Sequence, residues 1–396
     1  MSAQKASSHL TDEQRFNWLR LIRSERVGPV TFKNLIQRYG SAKAAIEALP
    51  EIAMRGGALI SVKVANESDI AREFEDAARL GAVFVAMGEP EYPALLRHLD
   101  GAPPIIAVLG DGTALNQSAI GVVGSRSAST NGLAFARKMS AELANAGFTI
   151  VSGLARGIDR AAHEGAISQG GTIAVMAGGL DRPYPPQNFD LYERLKNSEG
   201  SCLISAMPFG YEPVARDFPR RNSIIAGLSF AIIVVEAAER SGSLITARMA
   251  TEAGRLVFAI PGHPVDPRSA GTNGLIREGA ELARSAEDII EVVRPLAAKP
   301  TDFRPRIQPM VEAIAAPAKL LPASLTLNVQ SKQQLATPDD DLPEMLFNLL
   351  GPAPTSVDDL IRESGEPASK VQAALLELEL AGRIERGAGG VVTVIA

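Results

Sequence analysis

Cysteine is almost missing from this chain: Cys202 stands alone among 396 residues. A single thiol excludes a disulfide within the chain and fits a reducing compartment. The four histidines, His9, His98, His163 and His263, are too scattered to build a metal cluster with it, so no metal site is expected. No run approaches the roughly 18 apolar residues of a membrane span. The N-terminal segment has Lys5 but no apolar stretch behind it, so it does not read as a signal peptide. These absences predict a cytoplasmic protein with no membrane partner. Aromatic residues make up only 5%, which argues against a long platform for stacked bases.

Catalytic signatures are missing too. Gly-Val-Val-Gly-Ser-Arg, ending at Arg126, is not G-x-G-x-x-G, and no G-x-x-x-x-G-K-[ST] or G-x-S-x-G occurs. His163-Glu164 lacks the second histidine of a zinc helix, because Ile167 stands there. One acid–base candidate remains. Asp159 and His163 are four apart and share a helix face, as either a catalytic pair or a capping aspartate beside a hydrogen-bonded histidine. No cofactor is expected.

What is present is the composition of a soluble globular protein, 46% hydrophobic and 21% charged. The length calls for two or three domains. The formal net charge of −5 means that any attraction to nucleic acid has to come from a local patch. Four segments are expected: a helical domain over 1–97, a Rossmann-like domain over 98–297, a linker over 298–341 and a winged helix over 342–396. In the first, Thr11 to Gln14 offers a helix cap. Gly28-Pro29 then opens an amphipathic helix that ends at Gly40, similar to half of a helix-hairpin-helix or to a small packing domain.

From residue 105 short apolar strands alternate with helical segments: 105–109, 119–123, 149–152, 172–177, 202–205, 231–237 and 256–260. Such alternation predicts a parallel sheet with helices on both faces, and ligands bound beyond the carboxyl ends of its strands. Residues 119–159 are the centre of this pattern. A strand ends at Gly124-Ser125-Arg126-Ser127, and Ser129 caps the next helix. The following strand ends at Gly153, with Arg156 and Gly157 in its turn. Glycine turns before helices expose N–H groups at a positive dipole end, and so bind anions. Residues 216–222, with Phe218, Arg220, Arg221 and Asn222, add charge and a stacking ring near another helix start. Ser241, Gly242 and Ser243 precede a further helix. Repeated donors along one sheet edge suit successive phosphates of a polymer.

The linker segment has six prolines and no glycine, and a flexible chain of that length spans roughly 35–40 Å. The winged helix carries four basic residues, Arg362, Lys370, Arg383 and Arg386, against eight acidic ones. Its third helix bears Glu377 and Glu379, so phosphate repulsion favours a protein contact or a structural role over DNA.

The motifs VGSRSAS, SGLARGID, GGLDRPYP, FPRRNSIIAGLS, VVEAAERSGSLITA and GRLVFAIPGHPVDPRSAGTNGLIREGA, over about residues 90–290, resemble the DNA-processing protein A (DprA, or Smf) family. The resemblance implies a single-stranded DNA-binding protein that protects incoming DNA and loads RecA recombinase during natural transformation. It also implies a homodimer with no enzymatic reaction. Arg126 and the basic residues Arg220 and Arg221, with Phe218 nearby, are the DNA contacts it implies. Leu275 and Ile276 are expected at the dimer contact. The alternative is a nucleotide-processing enzyme similar to the phosphoribohydrolases, whose PGGxGTxxE signature is absent.

Overall fold

The computed structural model describes residues 9–57, 62–297, 342–351, 353–387 and 390–395. The expected linker, 298–341, lies outside them. The chain divides into two compact units. One holds residues 9–10 and 71–297 of the described chain; the other holds 11–57, 62–70 and the described residues from 342 onward.

The elements follow the sequence pattern closely. They are α1 (Asp12–Arg23), α2 (Pro29–Tyr39), α3 (Ala42–Arg55), α4 (Glu67–Leu80), β1 (Val83–Ala86), α5 (Ala94–Arg97), β2 (Ile105–Gly110) and β3 (Ala119–Gly124). Then come α6 (Thr130–Asn145), β4 (Thr149–Ser152), α7 (Ile158–Ala166), β5 (Thr172–Val175), α8 (Phe189–Lys196), β6 (Cys202–Ser205), α9 (Asp217–Leu228), β7 (Ala231–Val235), α10 (Gly242–Glu252), β8 (Leu256–Ala259), α11 (Ala270–Arg277), β9 (Glu281–Leu282) and α12 (Ala286–Ala297). The last set is α13 (Leu342–Leu349), β10 (Thr355–Ser356), α14 (Val357–Ser364), α15 (Ala368–Leu380), β11 (Ile384–Gly387) and β12 (Val391–Val394).

The larger unit is built on a nine-stranded sheet in the order β1-β2-β6-β5-β4-β3-β7-β8-β9. Strands β3 to β9 are parallel, whereas β2 pairs antiparallel with β6 and β1 antiparallel with β2. The 105–109 strand is therefore an antiparallel extension of the parallel sheet. Alternate side chains of each central strand enter opposite cores. Ile120, Val122, Ile150 and Val235 pack with Met139 and Leu143 of α6 and Ile158 of α7. Val123, Val151, Val175 and Val234 pack with Ile224 and Ile225 of α9 and Ala247 of α10. Burial on both faces explains why these strands read as unbroken apolar runs.

The smaller unit joins α1–α3 to the winged helix. Thr11 and Gln14 form a reciprocal capping box on α1, and Gly40 ends α2 at φ 77°. Trp18 and Phe32 meet edge to face, 5.0 Å between ring centroids. Helices α13–α15 and the β10-β12-β11 sheet enclose a core of Leu346, Leu360, Val371, Leu375 and Val392. The short strand β10 was not legible in the sequence. Its two residues, Thr355 and Ser356, pair with the end of β12, and Ser356 also caps α14.

Candidate nucleic-acid interface

After β3 the chain runs on to β4, β5 and β6 on one side; after β6 it returns to β7 on the other. The crevice beyond the carboxyl ends of β3 and β7 is thus the switch point at which open α/β sheets take ligands. A cavity of about 650 Å³ opens there. Its walls bring together ten of the sequence-predicted residues: Gly124, Ser125, Arg126 and Ser127 after β3, Phe218, Arg221 and Asn222 at the start of α9, and Ser241, Gly242 and Ser243 at the start of α10. A cavity of about 250 Å³ shares Arg126, Phe218 and Arg221 with it and adds Gly153, Arg156 and Tyr184. Gly157, at φ 76°, and the exposed Arg220 line neither. Arg220 and Arg221 are one residue apart on a helix, so they point about 100° apart.

Phe218 is the meeting point. The guanidinium carbon of Arg126 lies 5.2 Å from its ring centroid and that of Arg221 5.8 Å, within cation–π range. The Tyr184 ring is 5.8 Å away and tilted by 59°. The two arginines differ sharply in setting. Arg126 is exposed. Arg221 is buried and donates to the carbonyls of Gly153 and Val175, the latter at 2.8 Å, and to the Asn222 Oδ1 at 3.0 Å. Burial draws its pKa down to about 10, so it stays charged at neutral pH. A Cβ on Gly153 would fall 2.3 Å from the Arg221 guanidinium, so a larger residue there would displace that side chain.

Several of the amides that the sequence pattern offers to a ligand are taken by carboxylates of the chain itself. Glu236, just after β7, accepts from the Ser129 N–H at 2.8 Å and from the Ser129 hydroxyl at the N-terminus of α6. Asp159 accepts from the N–H groups of Gly153, at 3.1 Å, and Ala155, at 3.4 Å. Asp217 accepts from the Val214 N–H and the Tyr211 hydroxyl, each at 2.9 Å, in the first turn of α9. An anion at a helix start is favourable whatever its source, and an internal one satisfies the donors without a ligand. The Ser127 N–H likewise goes to the Ser125 hydroxyl at 3.1 Å, and the Ser241 and Ser243 hydroxyls bond each other at 2.7 Å. Leu154 (φ 58°) and Glu236 (φ 50°), at the ends of β4 and β7, hold left-handed backbone without being glycine. Such strain gathers at functional sites.

Of the Asp159/His163 pair, Asp159 lines the crevice and His163 faces inward. The His163 Nδ1 is 2.8 Å from the Thr172 hydroxyl, and its Nε2 accepts from the Leu154 N–H at 3.4 Å. Burial, then the charge of Arg221, hold its pKa down to about 3. Burial raises the Asp159 pKa, opposed by Arg221 and the two amides. Asn188, fully buried, donates to the carbonyls of Leu154 at 2.9 Å and Ala155 at 3.0 Å and so pins the turn that carries Arg156. Sequence reasoning did not place Tyr184, Arg240, Asn188 or Glu236 among the site residues. Tyr184, Asn188 and Arg240 carried a signal, as an aromatic, an amide and a charge inside glycine turns; Glu236 carried none.

A larger cavity, about 900 Å³, lies between α10, α11 and β8 and includes Arg248, Arg255, Leu275 and Arg277. No aromatic ring lines it, so the switch-point crevice is the better candidate despite its smaller size. Among the described residues no group of three or more His, Cys, Asp or Glu side chains could hold a metal ion, and no helix is long and apolar enough to cross a membrane.

Fold and site define a Rossmann-like protein with a cationic, aromatic crevice at its switch point, flanked by a helical module and a winged helix. The chain belongs to the DNA recombination-mediator protein A family, also called DprA or Smf. The family model matches residues 83–294, a DprA-like N-terminal HHH domain 12–76 and a DprA winged helix domain 330–390. Protein Smf of Synechocystis sp. is 33% identical over 394 residues, covering 96% of this chain and 98% of its own. Protein Smf of Escherichia coli is 39% identical, over 76% of this chain and 74% of its own. The X-ray structure of DNA processing protein A from Streptococcus pneumoniae is 39% identical, with a TM-score of 0.54 over 57% of this chain and 78% of that one. DNA processing protein A from Helicobacter pylori, described for its single-stranded DNA binding mode, shares the fold at 24% identity and a TM-score of 0.50, over 55% of this chain and 98% of that one.

Proposed function

We propose that this chain binds single-stranded DNA in the switch-point crevice, protects incoming DNA and delivers it to RecA recombinase during natural transformation. It works as a cytoplasmic homodimer and makes no bond itself. The observation that carries this reading is the exposed Arg126 over Phe218, with exposed Arg156 and Arg240 nearby on the same crevice walls. Among the described residues none of these arginines is held in an ion pair, so their charge is available to phosphates. The rings of Phe218 and Tyr184 offer stacking to an unpaired base, which a duplex keeps inside its own stack. Guanidinium forks are strong phosphate donors, and they read charge rather than sequence. His163 is hydrogen-bonded inward, and Asp159, which lines the crevice, is committed to the amides of Gly153 and Ala155. The relatives' names, as DNA processing proteins, agree.

Titration with labelled oligo-dT of graded length, beside the matching duplex and at several salt concentrations, tests the proposal. Single strands are expected to bind more tightly, with a salt slope of about 0.7 per neutralised phosphate. Equal affinity for duplex, or a flat slope, would overturn it.

A further inference from the structure

Helix α15 is buried on two sides. Val371, Ala374, Leu375 and Leu378 face the winged-helix core. Ala373, Leu376, Glu377 and Leu380 lie on the opposite side of the helix and are buried as well, Glu377 to 2% exposure. A helix buried all round needs a second cover. The N-terminal helices of the same unit supply it. The Glu377 carboxylate lies 3.8 Å from the guanidinium of Arg38 on α2 and 3.7 Å from that of Arg55 on α3. The Arg26 guanidinium donates to the Leu380 carbonyl at 3.0 Å, and the Thr31 hydroxyl donates to the Glu379 carboxylate. At the closest approach, a Cβ on Gly56 would sit 2.0 Å from the Glu377 carbonyl oxygen. The backbone of Gly56, φ −71° and ψ 1°, suits any residue, so this contact is what demands glycine.

A buried carboxylate is tolerated only when paired, and here the partners belong to the other module. We propose that α2 and α3 form a docking surface for an acidic amphipathic helix, and that the winged helix fills this surface as an intramolecular latch. The occupant defines the chemistry: a small residue, then Leu-Glu, then Leu, at the spacing of Ala373, Leu376-Glu377 and Leu380 along one helix face. In a winged helix this third helix is the one that enters DNA. Here its carboxylates are turned onto arginines of the chain, which withdraws it from DNA. A partner that opens the latch presents the same acidic, apolar face.

Because Cys202 is fully buried, a cysteine introduced by Ala373→Cys is the single accessible reporter thiol, on the covered face. Maleimide labelling of the full chain is expected to be slow. It should accelerate about tenfold or more when either Gly56→Leu or Glu377→Arg is added, one blocking the approach and the other reversing the charge. Fast labelling without these changes, or equally slow labelling with both, overturns the latch. In a second arm, a fluorescent peptide of residues 367–382 is added to the full chain. It should bind the Glu377→Arg chain at least about tenfold more tightly than the unaltered one, and lose that gain when Arg55→Glu is added. No gain in peptide binding overturns the docking surface. A gain for oligo-dT that Arg55→Glu abolishes, without one for the peptide, assigns the surface to nucleic acid and also overturns it.

Discussion

Arg126 and Arg221 both reach the ring of Phe218, yet only Arg126 has its charge in water. Arg126→Ala should therefore weaken oligo-dT binding by roughly 1 kcal/mol or more and lower the salt slope by about 0.7, with the melting temperature unchanged. Arg221→Ala should do the reverse first. It orphans the buried carbonyls of Gly153 and Val175 and opens a cavity, which costs about 3 kcal/mol and shows as a lower urea midpoint. His163 makes a pH prediction. Its folded pKa of about 3 is below the ordinary 6.5, so between those values the unfolded chain binds a proton that the folded chain refuses. Stability should fall as pH drops through that window, by up to about 1.4 kcal/mol per pH unit, and be unaffected by this group above it. The raised pKa of Asp159 acts in the opposite sense, so the difference between the unaltered chain and His163→Gln isolates the histidine. A flatter melting-versus-pH profile in the variant is the expected result.

At the scale of elements, the turn-then-helix pattern and the Ser129 cap were legible because they act within three or four residues. The occupant of the resulting anion site was not. Glu236 reaches Ser129 across 107 residues of sequence, and only the pairing of β3 with β7 brings them together. Glu236→Ala should destabilise the protein by about 1–3 kcal/mol in urea by orphaning the Ser129 N–H, whereas Glu236→Gln should recover part of it. Oligo-dT affinity should be nearly unchanged in both, since this carboxylate serves α6. An equal loss of stability in both variants would show that geometry at the strained backbone, rather than the hydrogen bond, is what Glu236 provides.

In the molecule as a whole, the winged helix shares a compact unit with the N-terminal helices, although the Rossmann-like sheet separates them in sequence. Its formal charge opposes phosphate binding, and its third helix is covered. Removing residues 342–396 should therefore leave oligo-dT affinity within about twofold and the salt slope unaltered. A large loss, measured by the same titration, would mean that the winged helix contributes to the DNA path. Analytical ultracentrifugation of the full chain tests the homodimer, which is expected to persist in Glu377→Arg because the latch closes within one chain.

Local chemistry was enough to mark nearly every strand, most helix starts and the arginine- and glycine-bearing turns, since periodicity, caps and backbone freedom are properties of short stretches. It also marked α15 as acidic and averse to DNA. Which of two adjacent arginines is buried, which carboxylates fill the turn amides and what covers the outer face of α15 depend on groups 68, 107 and 354 residues apart, such as Arg221 with Gly153, Glu236 with Ser129 and Arg26 with Leu380. Desolvation and close packing choose among such distant partners, and they act only once the sheet order and the docking of modules have brought them face to face.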